Sequence, residues 1–270
     1  MRRVSARSLA EALGAGKGDL VALVGGGGKT TAMYRLVAEW RAEGLRGLAA
    51  TTTRIAPPEP GEPELCAADT WEALREALEC MQGRPLVLGR GALPEGKVRG
   101  IPPEWCGRVL AEGLADAVAV EADGAARLPV KAPAAWEPVV PEATSLFVAV
   151  VGLSCVGAPL DAAHVFRPEL VAAAAGVGPG AFLGPRALVR LLAHPQGLAK
   201  GRPPGARAAV LLNQADGAAE LAAAEDIARG LLGLRAGYER VVAAALGSGR
   251  RRPAVRAVWA GPPGIAKEEP

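Results

Sequence analysis

The sequence of 270 residues predicts an α/β protein built on a mostly parallel, doubly wound sheet with helices on both faces. Three observations predict it. Short apolar runs alternate along the chain with longer segments of helical period. Half of the residues are apolar and the charges are mixed, 31 Lys and Arg against 28 Asp and Glu, which suits a large core under a soluble surface. Polar residues also gather just after several apolar runs, where ligands collect in open parallel sheets.

The apolar runs predict strands near residues 20–24, 47–51, 85–88, 117–121, 146–151, 208–212, 240–244 and 254–259. Helical spacing predicts helices near 29–43, 70–81, 103–113, 168–175, 185–193 and 218–232. Pro-rich loops lie between them at 56–63, 128–141 and 201–204. No repeat and no long linker interrupts this order, so residues 1–270 read as one nucleotide-binding α/β domain, for reasons that begin at residue 20.

The stretch LVALVGGGGKTT (residues 20–31) is an apolar strand running into four glycines, a lysine and two threonines, followed by a helical pattern. Gly25, Gly26, Gly27 and Gly28 lack Cβ, so the backbone can curl and aim successive N–H groups at one anion. The helix behind them brings its partially positive N-terminus to the same place. Lys29 supplies a full charge for β/γ-phosphates, Thr30 a hydroxyl for Mg²⁺, and Thr31 completes the loop. This is the grip of a P-loop NTPase-like fold for ATP or GTP. The pattern G-x-x-x-x-G-K-[ST] would need glycine at position 23, where the chain has Leu23. The shorter G-x-x-G-K-T-T that is present resembles the loop of ATP-dependent Mur-type ligases. A plain flexible turn is the alternative reading.

Three further strand ends carry candidate chemistry. Thr51, Thr52, Thr53 and Arg54 close the second strand, either as an ordinary strand end or as hydroxyls for a metal or phosphate, with Thr52 the candidate metal ligand. The apolar run 117–120 ends in Glu121 and Asp123, which a period of two points to one side. Glu121 is the candidate Mg²⁺ acid and Asp123 the candidate catalytic residue, positioning water or switching, beside Lys29. An Asp-Gly turn accounts for Asp123 and Gly124 but leaves Glu121 unexplained. The run 208–212 leads into Asn213, Gln214, Ala215 and Asp216. This is similar to the N-K-x-D base-recognition motif of GTPases, with glutamine in the place of lysine. A carboxylate at Asp216 can accept from two guanine N–H groups that adenine lacks. Asn213 is the sole asparagine of the chain. Asp216 reads equally as the cap of the next helix.

As an ordered set, VGGGGKTT (24–31), TTTRI (51–55), VEADGAARLPVKAP (120–133), EPVVP (137–141), HPQGLAKGRPPGAR (194–207) and LLNQAD (211–216) resemble the YqeC family. The resemblance implies an accessory protein of a selenium-dependent molybdenum hydroxylase, and the likeness runs from about residue 19 to residue 242. The resemblance implies a P-loop-type fold with the glycine loop on phosphates and Glu121 and Asp123 near the metal. It also implies phosphate or substrate contacts at Lys131, Arg167 and Lys200, each of which reads otherwise as a surface cation beside a proline turn.

The net charge of +3 and an aromatic content of 4% argue against a nucleic-acid partner. Arg250, Arg251 and Arg252 read as a solvated loop. The basic N-terminus has no apolar core behind it, and the run 146–156 is too short to span a bilayer, so a cytoplasmic location and no membrane partner are expected. Cys66, Cys80, Cys106 and Cys155 are far apart and read as small buried hydrophobes, with a reactive thiol as the alternative. The leading expectation is a Mg²⁺-dependent NTP-binding accessory protein that hydrolyses slowly. Its partner would be a molybdenum hydroxylase or the machinery that matures its cofactor. An ATP-dependent ligase or kinase acting on a small acid, and a non-catalytic nucleotide-sensing adaptor, are the alternatives.

Overall fold

A computed structural model describes residues 1–81, 83–178, 180–247 and 254–261. Arg250, Arg251 and Arg252 lie outside the described residues. In chain order the elements are β1 (Arg2–Val4), α1 (Leu9–Leu13), β2 (Leu20–Gly25), α2 (Lys29–Ala42), β3 (Gly47–Thr51), β4 (Arg54–Ile55), β5 (Glu64–Ala67) and α3 (Trp71–Cys80). They continue with β6 (Leu86–Ala92), β7 (Val98–Arg99), α4 (Pro103–Ala111), β8 (Ala117–Glu121), β9 (Val130–Lys131), β10 (Leu146–Gly152) and β11 (Val165–Phe166). The last are α5 (Pro168–Ala175), α6 (Pro185–Ala193), β12 (Arg207–Asn213), α7 (Ala218–Gly233), β13 (Arg240–Ala245) and β14 (Ala254–Ala260).

The main sheet runs β1-β14-β13-β12-β10-β2-β8-β3-β6-β7-β4, with β5 alongside β6. From β13 through β6, and on to β5, the pairings are parallel; β14, β1, β7 and β4 add antiparallel edges. Glycine-loop strand β2 lies in the middle, buried at all six residues. An unbroken apolar run is what a strand covered on both faces requires. Alternate residues serve opposite faces. Val21 and Leu23 of β2, with Val148 and Val150 of β10, pack against α1 and α2 through Leu13, Met33, Leu36 and Trp40. On the other face, Leu20 and Ala22 meet α3 and α4 at Leu74 and Val109. Phe147 and Val151 meet α5, α6 and α7 at Val171, Leu188 and Ile227. Helices therefore cover both faces of a mostly parallel sheet, an α/β fold of the P-loop NTPase-like kind.

Helix starts follow from local chemistry. Pro103, Pro168 and Pro185 open α4, α5 and α6, where a missing N–H costs no bond. The Thr70 side chain accepts from the Ala73 N–H at the start of α3. Register then lines up the strand ends: Leu23 and Thr51 each lie opposite Glu121, Gly25 opposite Val150, and Gly152 opposite Asn213. All four polar strand ends thus share the carboxyl edge of the parallel sheet. The strand expected at 85–88 runs on to Ala92, because Arg90 and Ala92 pair with the short β7.

Candidate nucleotide site

The glycine loop is tightly packed. At Gly25 (φ 102°) a Cβ would lie 2.3 Å from the Val150 carbonyl oxygen, and at Gly27 (φ 76°) 2.2 Å from the Gly152 nitrogen. Both positions combine left-handed backbone with contact against main chain, so only glycine fits. The expected fan of amides is corrected by what surrounds it. The Gly25 N–H donates to Asp123 (3.0 Å to Oδ1), the Gly26 N–H to the Val150 carbonyl (2.9 Å) and the Gly27 N–H to the Leu128 carbonyl (3.0 Å). The first bond inside α2 runs from Ala32 N–H to the Gly28 carbonyl. Helix geometry therefore leaves the N–H groups of Gly28, Lys29, Thr30 and Thr31 without intrahelical acceptors. The open N–H groups thus lie at the mouth of α2 rather than along the run of glycines.

Lys29 turns inward. Its Nζ donates to the Gly25 carbonyl (2.5 Å) and lies 3.2 Å from Asp123 Oδ1 and 3.7 Å from Glu121 Oε1, with only 3% of the side chain exposed. Thr30 Oγ1 donates to Glu121 Oε2 at 2.6 Å. Burial on its own would lower the Lys29 ammonium, but the facing Asp123 and Glu121 charges win and raise it. Burial raises the Glu121 carboxyl, opposed by Lys29 and Thr30. So Lys29 stays charged at neutral pH, while burial disfavours the charged form of Glu121. Mg²⁺ takes one or two protein oxygens and fills its shell from phosphate and water. The Thr30 hydroxyl and Glu121 carboxylate are such a pair, and they fit the ion. Among the described residues no group of three or more His, Cys, Asp or Glu side chains could hold a metal by itself.

A second set of charges continues from Asp123, and sequence reasoning from the residues alone missed its burial. Lys131 Nζ lies 3.1 Å from Asp123 Oδ2 and 2.6 Å from Glu137 Oε2, and donates to the Gly124 carbonyl at 2.6 Å. Its side chain is 0% exposed, which corrects the reading of a surface cation. Arg167 pairs with the same Glu137 and stacks over Phe166 and Trp136. Lys200 donates to the Ala134 carbonyl at 2.6 Å, fastening the loop that carries Trp136 and Glu137. Lys29, Asp123, Lys131, Glu137 and Arg167 thus form one chain of alternating charge. The sequence signal for it was the family resemblance, which singled out Lys131 and Arg167 but did not show that the two meet at Glu137.

The loop after β8 also closes over the glycines. The Gly152 N–H donates to the Pro129 carbonyl (2.8 Å), and Leu128 N–H to Ala125 carbonyl (2.9 Å) closes a turn through Ala126 and Arg127. Both central residues have positive φ, 49° and 63°, at roughly 1–2 kcal/mol each for a residue with a Cβ.

The strand end of β12 behaves otherwise. Asn213 Nδ2 donates to the Gly27 carbonyl (2.7 Å), and its Oδ1 accepts from the Leu246 N–H (2.9 Å). Its buried amide braces the glycine loop from behind. Gln214 (φ 63°) accepts from the Ser154 hydroxyl (2.7 Å). Asp216 is exposed, and the residue that caps α7 is Gly217, whose N–H donates to Glu220 Oε2 (2.9 Å). The Thr52 hydroxyl donates to the Val139 carbonyl (2.7 Å), so only its lone pairs remain for a metal. Thr51 is buried with its hydroxyl directed at the Glu121 carbonyl, and Thr53 Oγ1 is buried without a partner among the described residues.

The cysteines divide. Cys66, Cys106 and Cys155 are buried, and burial pushes the thiols of Cys106 and Cys155 up to about 12, so both stay protonated at neutral pH. Cys80 is exposed rather than buried as the sequence suggested.

A mostly parallel α/β sheet with a glycine loop at its central strand, and a buried lysine facing two carboxylates there, defines a protein of the P-loop NTPase-like fold class. A family profile described as "YqeC protein" matches residues 21–169. The chain is 31% identical over 195 residues to a protein of Escherichia coli strain K12 described as "Uncharacterized protein YqeC", covering 72% of this chain and 75% of that one. The chain belongs to the YqeC family. No helix among the described residues is long and apolar enough to cross a membrane.

Proposed function

We propose that this chain binds a nucleoside triphosphate with Mg²⁺ at the mouth of α2 and hydrolyses it slowly. In this reading it serves as an accessory protein in maturing a selenium-dependent molybdenum hydroxylase. The observation that carries the nucleotide reading is the convergence of Lys29, Thr30, Glu121 and Asp123 on the open N–H groups of Gly28–Thr31. Lys29 would exchange the Asp123 carboxylate for β/γ-phosphate oxygens, and Thr30 and Glu121 would hold the metal. Bound Mg²⁺ supplies neutralisation of phosphate charge. Asp123 would keep Lys131 and the Gly25 N–H, so releasing Lys29 strands no charge. The hydroxylase link rests on the motif resemblance set out above.

Titration of the purified protein with ATP and GTP, with and without Mg²⁺, tests this. Lys29→Ala is expected to weaken triphosphate binding by about 100-fold or more, since it removes the charge-assisted contact in a buried site. Affinity unchanged in that variant would overturn the reading. Base discrimination is expected to be weak, because Asn213 and Gln214 are engaged by the protein and Asp216 is exposed to water. A second reading, a ligase or kinase acting on a small acid, draws on the short G-x-x-G-K-T-T loop at Gly25–Thr31. It requires nucleotide turnover that starts only when an acid substrate is added.

A further inference from the structure

The turn over the glycine loop holds the two consecutive left-handed residues Ala126 and Arg127. Nowhere else among the described residues do two neighbouring non-glycine residues have positive φ. Such backbone belongs to asparagine and glycine in a tight turn of this kind, and it persists elsewhere only where the surroundings impose it. Here they do. Leu128 and Pro129, directly after the turn, accept hydrogen bonds from Gly27 and Gly152, so the turn is pinned to the glycine loop itself.

What this turn presents is Arg127. It is exposed and, among the described residues, has no hydrogen bond, ion pair or ring contact. The other cations around the site are all engaged: Lys29 and Lys131 with Asp123, Arg167 with Glu137, and Lys200 with the Ala134 carbonyl. From Arg127 to the Leu128 carbonyl that meets Gly27 is less than two residues of chain, at most about 7 Å. That span is within the reach of an extended arginine side chain. In the nucleotide reading Lys29 and Mg²⁺ take part of the phosphate charge, and Arg127 is the cation near the loop that is not committed to a protein partner among the described residues.

We propose that Arg127 is an arginine finger supplied by the chain itself, its guanidinium contacting the terminal phosphate of a nucleotide held at Gly28–Thr31. The inference rests on the nucleotide reading above. In the step it serves, a water oxygen bonds to the γ-phosphorus while the bond to the bridging oxygen breaks. The electron pair leaves with the nucleoside diphosphate and a water proton passes to solvent. Arg127 gains and loses no proton. It acts by charge and by the planar fork of its donors on equatorial oxygens.

The test compares the full-length wild type with Arg127→Ala and Arg127→Lys. Binding of ADP·Mg²⁺ alone, and of ADP·Mg²⁺ with aluminium fluoride as a mimic of the transferring phosphoryl group, is measured by calorimetry. Single-turnover ATP hydrolysis is measured alongside. Arg127→Ala is expected to bind ADP within about twofold of wild type, yet to lose about 100-fold or more in both the fluoride-dependent tightening and hydrolysis. Arg127→Lys is expected to recover only part of the loss, because an ammonium lacks the fork. Fluoride-dependent tightening of wild-type size in Arg127→Ala overturns the proposal and leaves the nucleotide site standing. Absence of any ADP or ATP binding by wild type overturns both.

Discussion

The ends of β8 and β12 look alike as sequence and differ as structure. Each is an apolar parallel strand that stops in two polar residues at the carboxyl edge of the sheet. At the end of β8, Glu121 and Asp123 point their carboxylates into the site, toward Lys29, Thr30 and Lys131. At the end of β12, Asn213 and Gln214 spend their amides on Gly27, Leu246 and Ser154. One strand end gathers charge; the other braces backbone. The difference follows from distance to the glycine loop. Strand β8 adjoins β2 directly, so its polar ends meet the first turn of α2. Strand β12 lies one strand further out, beyond β10, so its end reaches only the back of the loop.

The most direct way to break this contrast is at Asp123. Its two oxygens serve both lysines and the Gly25 N–H, all nearly inaccessible to water. Removing one member of a buried charge network leaves its partners uncompensated, which typically costs about 3–5 kcal/mol. Asp123→Ala is therefore expected to lower unfolding stability by about that amount in urea denaturation. A change below about 1 kcal/mol would mean that the two lysines do not depend on it.

A smaller effect sharpens the other side. Asn213→Ala leaves the Gly27 carbonyl and the Leu246 N–H without partners, at about 2–4 kcal/mol for two buried groups. If the amide is a brace, the variant should be less stable and weaken ATP and GTP in equal proportion. A selective loss of GTP would instead make Asn213 a reader of the base.

The same contrast explains what could be read in the sequence. The parallel core was legible because strands covered on both faces are continuous apolar runs, and α5 and α6 were bounded by Pro168 and Pro185. The convergence of Lys29 and Glu121 was legible because strand-end position is fixed by register alone. The missed pieces obey other rules. Strands β1, β4, β7, β9 and β11 have two or three residues, too few to show a period; β1, β7 and β4 form along the edges of the main sheet, and β9 and β11 pair with each other in a separate small sheet. Helix α1 has five residues, and its one signal was Ser8 three positions before Glu11. Side-chain destinations were the least legible. Nothing in the spacing of Asn213 says that its amide meets Gly27, and nothing in a proline-rich loop says that Lys131 is sealed from water. The first is set by a contact between residues 186 apart in the chain, the second by the packing of a loop that folds Lys131 onto Asp123, Gly124 and Glu137. The engagement of the Gly26 and Gly27 amides is of the same kind, decided by Val150 and Leu128.

The smallest predicted effect concerns the outer end of the charge chain. Burial on its own would raise the Glu137 carboxyl, but hydrogen bonds and charge from Arg167 and Lys131 win and hold it below its ordinary value of 4.5. A carboxyl lowered on folding contributes stability that is complete above the unfolded value and is lost as pH falls through the lower folded value. Glu137→Gln should therefore be less stable than wild type at neutral pH, and the gap should narrow as the solution is acidified below about 4.5. Urea denaturation of both proteins from pH 7 to pH 3 measures it. Glutamine keeps the shape and an acceptor oxygen, so what disappears is the charge facing Lys131 and Arg167. A gap that stays constant across that range would trace the loss to packing, and would separate Arg167 electrically from the Asp123 end of the chain. A gap that closes would make Asp123, Lys131, Glu137 and Arg167 a single electrostatic unit running from the glycine loop to the exposed ring of Trp136.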